Sequence, residues 1–345
     1  MASEDAAAVV IQPAGRIAKL FNDDTFSKLR AQAQVPDDFV NSGWDYDMLT
    51  GGGGKGGSLM ARVGNEFIVK ELSDGDHNVL VSVAESYGHH VRGGETLLCP
   101  IYLHYMDTLS GRKFFVMRNS IGLGPFRLVY DLKGCADDKT VVRDDTPVVA
   151  VHKRITKPSM WIGKRAWSEK RHVYYRGKVE ARSVTLDVTH EQRSQILSMI
   201  KRDTNWFKGH GLMDYSLLVA VQEVPSSATR DSSPSIVGPR PWVRKGPGNV
   251  DVVLHVSIID FLQKWTFAKK VAMLLKSVER NKATVPPAQY ADRFFRHFSE
   301  RFREVVEATH PADSVPSSIA PPAGDSASQS RPEDDPGLST SPSRV

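Results

Sequence analysis

Four features of this sequence carry chemistry when they are taken together: a glycine-rich run, a lysine on a strand and two later aspartates. The run, Gly51–Ser58, has six glycines in eight residues, and Lys70 follows it by twelve residues. Asp214 and Asp260 come far downstream, each beside an apolar run. Glycine lets backbone amides approach phosphate oxygens, lysine neutralises phosphates, and carboxylates hold a metal ion or orient a hydroxyl. This order of residues predicts phosphoryl transfer from ATP.

Each feature alone has a simpler interpretation. The glycine run is also typical of a flexible linker, Lys70 could point outward from its strand, and each aspartate could be a helix cap or a turn residue. The glycines precede a strand, whereas the Walker pattern requires Gly-Lys-Ser/Thr at the start of a helix. The HRD, DFG and APE motifs of protein kinases are absent from the sequence. An ordinary protein kinase is therefore excluded. Asp76 is the predicted acidic partner of Lys70.

The hydrophobic pattern predicts the elements that must position these residues. Thr189-His-Glu-Gln192 is a capping box, which predicts the start of a helix that ends near Trp206. Tyr290, Phe294, Phe295 and Phe298 recur at helical spacing and are predicted to be core residues. The remaining predicted elements are a helix over 21–29, strands over 66–72, 97–105 and 113–118, a helix over 77–92, strands over 216–224 and 252–259, and a helix over 288–308.

These elements predict an α+β, two-lobed, kinase-like fold with antiparallel sheets and an active-site cleft between the lobes. Composition sets the boundaries, because segments rich in Ser, Pro, Ala and Asp bury too little apolar surface to become ordered. The predicted parts are a disordered leader (1–15), an N-lobe (about 16–130), a C-lobe (about 131–310), a flexible insertion (225–248) and a disordered tail (311–345).

Net charge, the length of the apolar runs and the cysteine count limit the classes of protein to which this chain can belong. The formal net charge is +5, and ten Lys/Arg face two Glu between residues 149 and 182. Such segments attract phosphates or an anionic membrane, although a solvated surface is the simpler interpretation. No run of eighteen apolar residues occurs, so no membrane span is expected. Cys99 and Cys135 lack a CxxC spacing, which favours free buried thiols in a reducing compartment. The histidines His77, His89, His90 and His104 have no metal-ligand spacing and are interpreted as surface or core residues.

Three further stretches carry a family resemblance. Val129-Tyr-Asp-Leu-Lys-Gly134, Leu212-Met-Asp-Tyr-Ser-Leu-Leu-Val219 and Ile258-Ile-Asp-Phe-Leu-Gln263 closely resemble the DLKG, MDYSLL and IID(I/F)L motifs of the phosphatidylinositol phosphate kinases, in the same order. The resemblance extends from about Phe21 to Phe294. It implies an ATP- and Mg²⁺-dependent phosphotransferase with an alcohol acceptor.

The resemblance implies a role for each matching residue. Asp214 would be the catalytic aspartate that orients or deprotonates the inositol hydroxyl, and Asp260 would hold Mg²⁺. Asp131 and Lys133 would border the active site, with Lys133 near the transferred phosphate. The residues implied to bind ATP are Gly53, Gly54, Lys55, Gly56, Gly57, Ser58 and Lys70. Those implied to meet membrane and substrate, in an activation loop over about 264–290, are Lys269, Lys270 and Ala272.

The sequence departs from the family pattern at two places. Cys135 follows DLKG where the family usually has serine, and Asp137 and Asp138 come next, so both acids are expected to point away from the phosphate site. Ala272 stands where the 4-phosphate 5-kinases carry glutamate and the 5-phosphate 4-kinases carry alanine.

The function implied is phosphorylation of a phosphatidylinositol monophosphate to the bisphosphate at an anionic membrane. The 4-phosphate 5-kinase is preferred on the abundance of that type in the family, and the 5-phosphate 4-kinase is the alternative. A phosphoinositide-binding scaffold and a soluble inositol-phosphate kinase stay open as rivals. No nucleic acid is expected as a partner. A homodimer is considered because the family includes dimers, and the expected location is the cytoplasmic face of membranes, the plasma membrane first among them.

Overall fold

The computed structural model describes residues 8–10, 17–36, 50–51, 59–151, 167–227, 240–265 and 285–305. Most of the predicted glycine-rich flap and of the activation loop lies outside the described residues, as do the tail and residues 228–239 of the predicted insertion.

An antiparallel sheet of seven strands forms the first half of the chain. The strands are β1 (Ala8–Val10), β2 (Ile17–Leu20), β3 (Thr50–Gly51), β4 (Leu59–Val63), β5 (Phe67–Leu72), β6 (Ile101–Asp107) and β7 (Lys113–Arg118). Their spatial order is β1-β2-β6-β7-β5-β4-β3. Part of the predicted disordered leader is therefore an edge strand, β1.

Two helices accompany this sheet, α1 (Asp23–Gln32) and α2 (Asp74–Arg92). The hydroxyl of Ser73 accepts a hydrogen bond from the backbone N–H of Asp76 and so caps the first turn of α2. Phe26 of α1 and Leu80 of α2 are fully buried, because each lies on the apolar stripe of its helix.

The second half of the chain is built on a six-stranded antiparallel sheet. The strands of this half are β8 (Leu128–Leu132), β9 (Lys139–Arg143), β10 (Thr146–Pro147), β11 (Leu186–Val188), β12 (Leu212–Met213), β13 (Ser216–Pro225), β14 (Trp242–Lys245), β15 (Val250–Ile259), β16 (Gln263–Lys264) and β17 (Phe302–Glu304). The sheet order is β10-β9-β8-β13-β15-β14, and β11–β17 and β12–β16 form two-stranded sheets. Part of the predicted flexible insertion, Trp242–Lys245, is instead the edge strand β14.

The described residues of this half also form three helices, α3 (Glu169–Ser183), α4 (His190–Gly209) and α5 (Pro287–Arg301). The predicted capping box is present, since Thr189 and Gln192 exchange side chain–backbone hydrogen bonds at the start of α4. The last helix ends earlier than predicted, at Arg301, because the chain then pairs with β11 as strand β17. The predicted aromatic core of α5 is confirmed for Tyr290, Phe294 and Phe298, which are fully buried, whereas Phe295 is partly buried and packs against the core.

The α+β fold with antiparallel sheets is thus confirmed. Cys99 and Cys135 are both free and buried, as predicted. Within the residues that the structure describes, no helix combines the length and the hydrophobicity that crossing a bilayer requires.

A backbone contact outside the sheets connects β15 to the segment between α2 and β6. The N–H of Ile258 donates to the carbonyl of Leu97 at 2.6 Å, and the N–H of Cys99 donates to the carbonyl of Ile258 at 2.9 Å. Asp203 of α4, fully buried, holds the same segment by accepting from the N–H of Leu97 at 2.8 Å and the hydroxyl of Thr96 at 2.7 Å. One buried carboxylate therefore fixes the backbone beside the strand that leads to Asp260.

Asp203→Ala is expected to lower the free energy of unfolding by about 3 kcal/mol, because it leaves buried donors unsatisfied. Chemical denaturation followed by circular dichroism measures this loss. The matched control is Asp292→Ala, which removes an exposed aspartate and should stay within about 0.5 kcal/mol of the wild type. Equal losses in the two variants would contradict the role assigned to Asp203.

Candidate active site

Asp214 and Asp260 occupy corresponding breaks in two neighbouring strands. The pairing of β13 with β15 ends at Ser216 and Ile259, and the short pairing of β12 with β16 lies beyond it. Asp214 and Asp260 fall in this break, with φ angles of 65° and 58°. The left-handed region is uncommon for residues other than glycine, and such strain concentrates at functional sites. The backbone thus brings both predicted aspartates to one end of the second sheet.

Lys133 reaches Asp214 from the adjacent strand. Leu132, the last residue of β8, pairs with Leu217 of β13, so the residue that follows it lies beside the start of β13. The Nζ atom of Lys133 is 2.6 Å from Oδ1 of Asp214 and 3.0 Å from its backbone carbonyl oxygen. Burial by itself would lower the pKa of Lys133, but the carboxylates of Asp214, Asp131 and Asp260 together outweigh burial and raise that pKa. Lys133 therefore remains a cation inside the site.

Lys70 reaches Asp260 from the first sheet. Its ammonium donates to Oδ1 of Asp260, and this ion pair joins β5 to the residue that follows β15. Burial would raise the pKa of the Asp260 carboxyl, but Lys70, with Lys133 and Lys139, lowers it below its ordinary value. Lys70 thus points toward Asp260.

The predicted partner of Lys70 was wrong. Asp76 accepts hydrogen bonds from the Ser73 hydroxyl at 2.8 Å and from the side-chain amide of Gln263 at 3.1 Å. Asp76 therefore caps α2 and contacts β16. The acidic partner of Lys70 is Asp260. The pairing was hidden because 190 residues separate Lys70 from Asp260 in the sequence.

Asp131 lies on β8, two residues before Lys133, and contacts a lysine that the sequence analysis missed. Its Oδ2 atom is 2.8 Å from Nζ of Lys139 on β9, and the two residues are register partners. The other carboxylate oxygen is buried without a hydrogen-bond partner among the described residues. Opposite charges at directly paired positions are the signal that could have identified Lys139.

The two acids after DLKG point in different directions. Asp137 is exposed and lies 3.8 Å from Lys178, as expected of an outward-facing acid. Asp138 is fully buried, which contradicts the prediction that both face away. Its Oδ1 atom accepts hydrogen bonds from the backbone N–H groups of Lys133 at 2.7 Å and Cys135 at 3.2 Å.

Helix α5 supports the backbone beside both Asp214 and Lys133. The hydroxyl of Tyr290 donates to the carbonyl of Tyr215 at 2.5 Å, next to Asp214. A Cβ atom added at Gly134 would lie 3.2 Å from Cβ of His297. Gly134 also has a φ of 68°, so glycine suits this position for two reasons.

Several predicted site residues lie outside the described residues, namely Gly53, Gly54, Lys55, Gly56, Gly57, Ser58, Lys269, Lys270 and Ala272. The strands on either side of the glycine run are described, and Gly51 of β3 pairs with Leu59 of β4. The chain therefore leaves one strand and returns on its neighbour, close to β5 and Lys70.

Comparison with known proteins identifies the class to which this fold and site belong. Residues 49–239 and 244–301 match the family model described as Phosphatidylinositol-4-phosphate 5-Kinase. The chain belongs to this family.

Two curated relatives carry the family's name. Phosphatidylinositol 4-phosphate 5-kinase its3 of Schizosaccharomyces pombe is 22% identical over 317 residues, covering 71% of this chain and 40% of the relative. Phosphatidylinositol 4-phosphate 5-kinase of Plasmodium falciparum is 21% identical over 282 residues, covering 70% of this chain and 15% of the relative. The chain spans less than half the length of these relatives.

Gly134→Ala is expected to destabilise the protein by about 3 kcal/mol, combining left-handed backbone strain with a contact against His297. Gly111→Ala is the matched control, since Gly111 has a φ of 67° but nothing within 4 Å of an added Cβ. It should lose only about 1 kcal/mol, from strain alone. Urea denaturation of both variants gives the difference, and equal losses would show that the approach of His297 has no effect.

Proposed function

We propose that this chain transfers the γ-phosphoryl group of ATP to a phosphatidylinositol monophosphate at a membrane surface, as a phosphatidylinositol 4-phosphate 5-kinase. The observation that carries the proposal is the pairing of Lys133 with Asp214 and of Lys70 with Asp260 at one sheet end. Phosphoryl transfer requires positioning and charge neutralisation more than covalent chemistry, and cations alternating with carboxylates suit that task.

Each residue of the cluster has a role that its position supports. Asp214, with the Lys133 ammonium on its carboxylate, would accept the hydrogen bond of the inositol hydroxyl. It would take the hydroxyl proton as the hydroxyl oxygen bonds to the γ-phosphorus and the bond from that phosphorus to the bridging oxygen of ADP breaks. Lys133 would stabilise negative charge on the transferred phosphoryl group. Lys70 would exchange its contact with Asp260 for the α- and β-phosphates of ATP. The segment Gly53–Ser58 would cover the nucleotide.

The donor set fits magnesium that arrives with the nucleotide. Lys70 contacts one oxygen of Asp260, Oδ1, and the Asp260 side chain is 43% exposed. Among the described residues no cluster of three or more His, Cys, Asp or Glu could enclose an ion by itself. Magnesium in phosphoryl-transfer sites is held by one or two carboxylates together with substrate phosphates, and there it neutralises their charge. Asp260 would be the protein ligand.

The lipid substrate and its location are inferred from family membership and charge. Helix α3 and the segments around it carry much of the excess of Lys and Arg between residues 149 and 182. Basic segments of this kind attract anionic lipid. We place the protein peripherally on the cytoplasmic face of membranes, the plasma membrane first among them, and include a homodimer in the proposal as an assembly to be tested.

The preferred acceptor is the 4-phosphate lipid. Both curated relatives are named phosphatidylinositol 4-phosphate 5-kinases. Ala272 is the observation that favours the alternative, a 5-phosphate 4-kinase.

Asp214→Asn is expected to lower kcat by about 1,000-fold, because it removes the proton acceptor while keeping the size of the side chain. Phosphate incorporation into vesicles containing the 4-phosphate lipid measures the loss. Asp137→Asn, at the exposed aspartate beside the site, is the matched control and should keep kcat within about twofold. If the wild type and Asp214→Asn transfer equally little phosphate, the chain is a phosphoinositide-binding scaffold and not an enzyme.

Offered the 4-phosphate and the 5-phosphate lipids in parallel vesicles, the wild type should use the 4-phosphate with a kcat/KM at least about tenfold higher. The measurement is consumption of each monophosphate together with the position of the new phosphate. A preference for the 5-phosphate lipid would overturn the 5-kinase assignment in favour of the alternative. Faster turnover of the soluble headgroup than of either lipid would instead indicate an inositol-phosphate kinase.

A further inference from the structure

Asp138 is a buried carboxylate beside the active site to which the reaction itself gives no role. It lies five residues after Lys133 and is fully inaccessible to solvent. Its Oδ1 atom accepts from the backbone N–H groups of Lys133 and Cys135. The carboxylate therefore closes the turn that begins at Lys133 and contains Gly134.

The surroundings of Asp138 do not neutralise its charge. Its Oδ2 atom is 3.7 Å from Nε2 of His297 on α5, and neither atom has a hydrogen-bond partner among the described residues. Burial lowers the pKa of His297 to about 4, with Arg301 and Arg293 of the same helix acting in the same direction, so the imidazole is neutral. Burial also raises the pKa of Asp138 to about 6, and the nearby Asp131 acts in the same direction.

A buried carboxylate with few partners is costly to the stability of a fold. An apolar side chain would avoid that cost but would leave two backbone N–H groups without an acceptor, whereas an amide would avoid the charge and keep an acceptor. The contacts of Asp138 are to the backbone of Lys133, whose ammonium lies 2.6 Å from Asp214. What the carboxylate supplies is thus the geometry of this turn.

We propose that Asp138 is a positioning residue, which holds the turn at Lys133–Cys135 so that the Lys133 ammonium reaches Asp214. This proposal deepens the proposed kinase function and rests on it. Without the acceptor, two backbone N–H groups would lose their partner, and the left-handed Gly134 would be free to relax. The ammonium would then leave the position from which it serves the transferred phosphate.

The experiment compares Asp138→Ala with Asp138→Asn in the full chain. Asp138→Ala should lower kcat by about 100-fold and leave KM for ATP within about twofold, because displaced catalytic groups act on the chemical step. Asp138→Asn should restore kcat to within about threefold of the wild type, since an amide oxygen accepts the same backbone hydrogen bonds. Its melting temperature should equal or exceed that of the wild type. Asp137 is the exposed neighbour of Asp138, so Asp137→Ala is the matched control. It should change neither kcat nor the melting temperature.

A double-mutant cycle separates positioning from general damage. In a Lys133→Ala background, Asp138→Ala should cause no further loss of kcat, because the residue acts through Lys133. The proposal would be overturned if the loss of kcat in the double variant equalled the product of the losses in the two single variants. It would also be overturned if Asp138→Asn failed to restore kcat. If Asp138→Ala does not fold, Asp138→Leu, which fills the volume but offers no hydrogen-bond acceptor, replaces it in the comparison with Asp138→Asn and in the cycle with Lys133→Ala.

A readout that does not need catalysis distinguishes failure of this proposal from failure of the proposed function. The rate at which an amine-reactive reagent acylates Lys133, followed by peptide mass spectrometry, should rise in Asp138→Ala and not in Asp138→Asn. A rise in a protein that transfers no phosphate would overturn the kinase function and leave the positioning role standing. An unchanged rate in an active enzyme would overturn the positioning role alone.

Discussion

The site depends on one constraint, the antiparallel pairing of β13 with β15 and the break at its end. Because the pairing ends at Ser216 and Ile259, the residues just outside it are forced to neighbouring positions at one end of the sheet. Asp214 and Asp260 occupy these positions with left-handed backbone angles. A slip of one residue in this register would turn the strands' side chains to the opposite face and separate the two carboxylates. The other elements contribute to the site by bringing side chains to this end of the sheet.

The two lysines that contact these aspartates come from different sheets. Lys133 arrives on the strand next to β13, within the same sheet, whereas Lys70 arrives from the other sheet. The two contacts therefore differ in kind: one is fixed by strand pairing, and the other spans two sheets. The nucleotide would compete most directly for Lys70, whose partner Asp260 would be released to a cation. The second sheet would meanwhile keep Lys133 on Asp214.

The sequence predicted those features of the fold that depend on interactions between residues close together in the chain. Thr189 and Gln192 announce a helix start because a capping box is satisfied within four residues, and the spacing of the aromatic residues of α5 follows from helical geometry. Partners joined only by tertiary structure escaped this reasoning: Lys70 was assigned to Asp76, and Lys139 was missed. The strand β14 was hidden within a polar segment, since an edge strand requires little hydrophobicity of its own.

The inward orientation of Asp138 shows why the buried residues that support the site could not be predicted from the sequence. An acid near a phosphate site was expected to face away because of its charge, yet its oxygen is used by backbone amides. Asp203 likewise accepts a hydrogen bond from a backbone N–H, that of Leu97, and so holds the segment that hydrogen-bonds with Ile258, two residues before Asp260. The Lys133–Asp214 and Lys70–Asp260 pairs are thus each supported by a buried aspartate that accepts a backbone hydrogen bond. Such residues are visible only once the hydrogen-bond donors around them are known, because their chemistry lies in the fold and not in a motif.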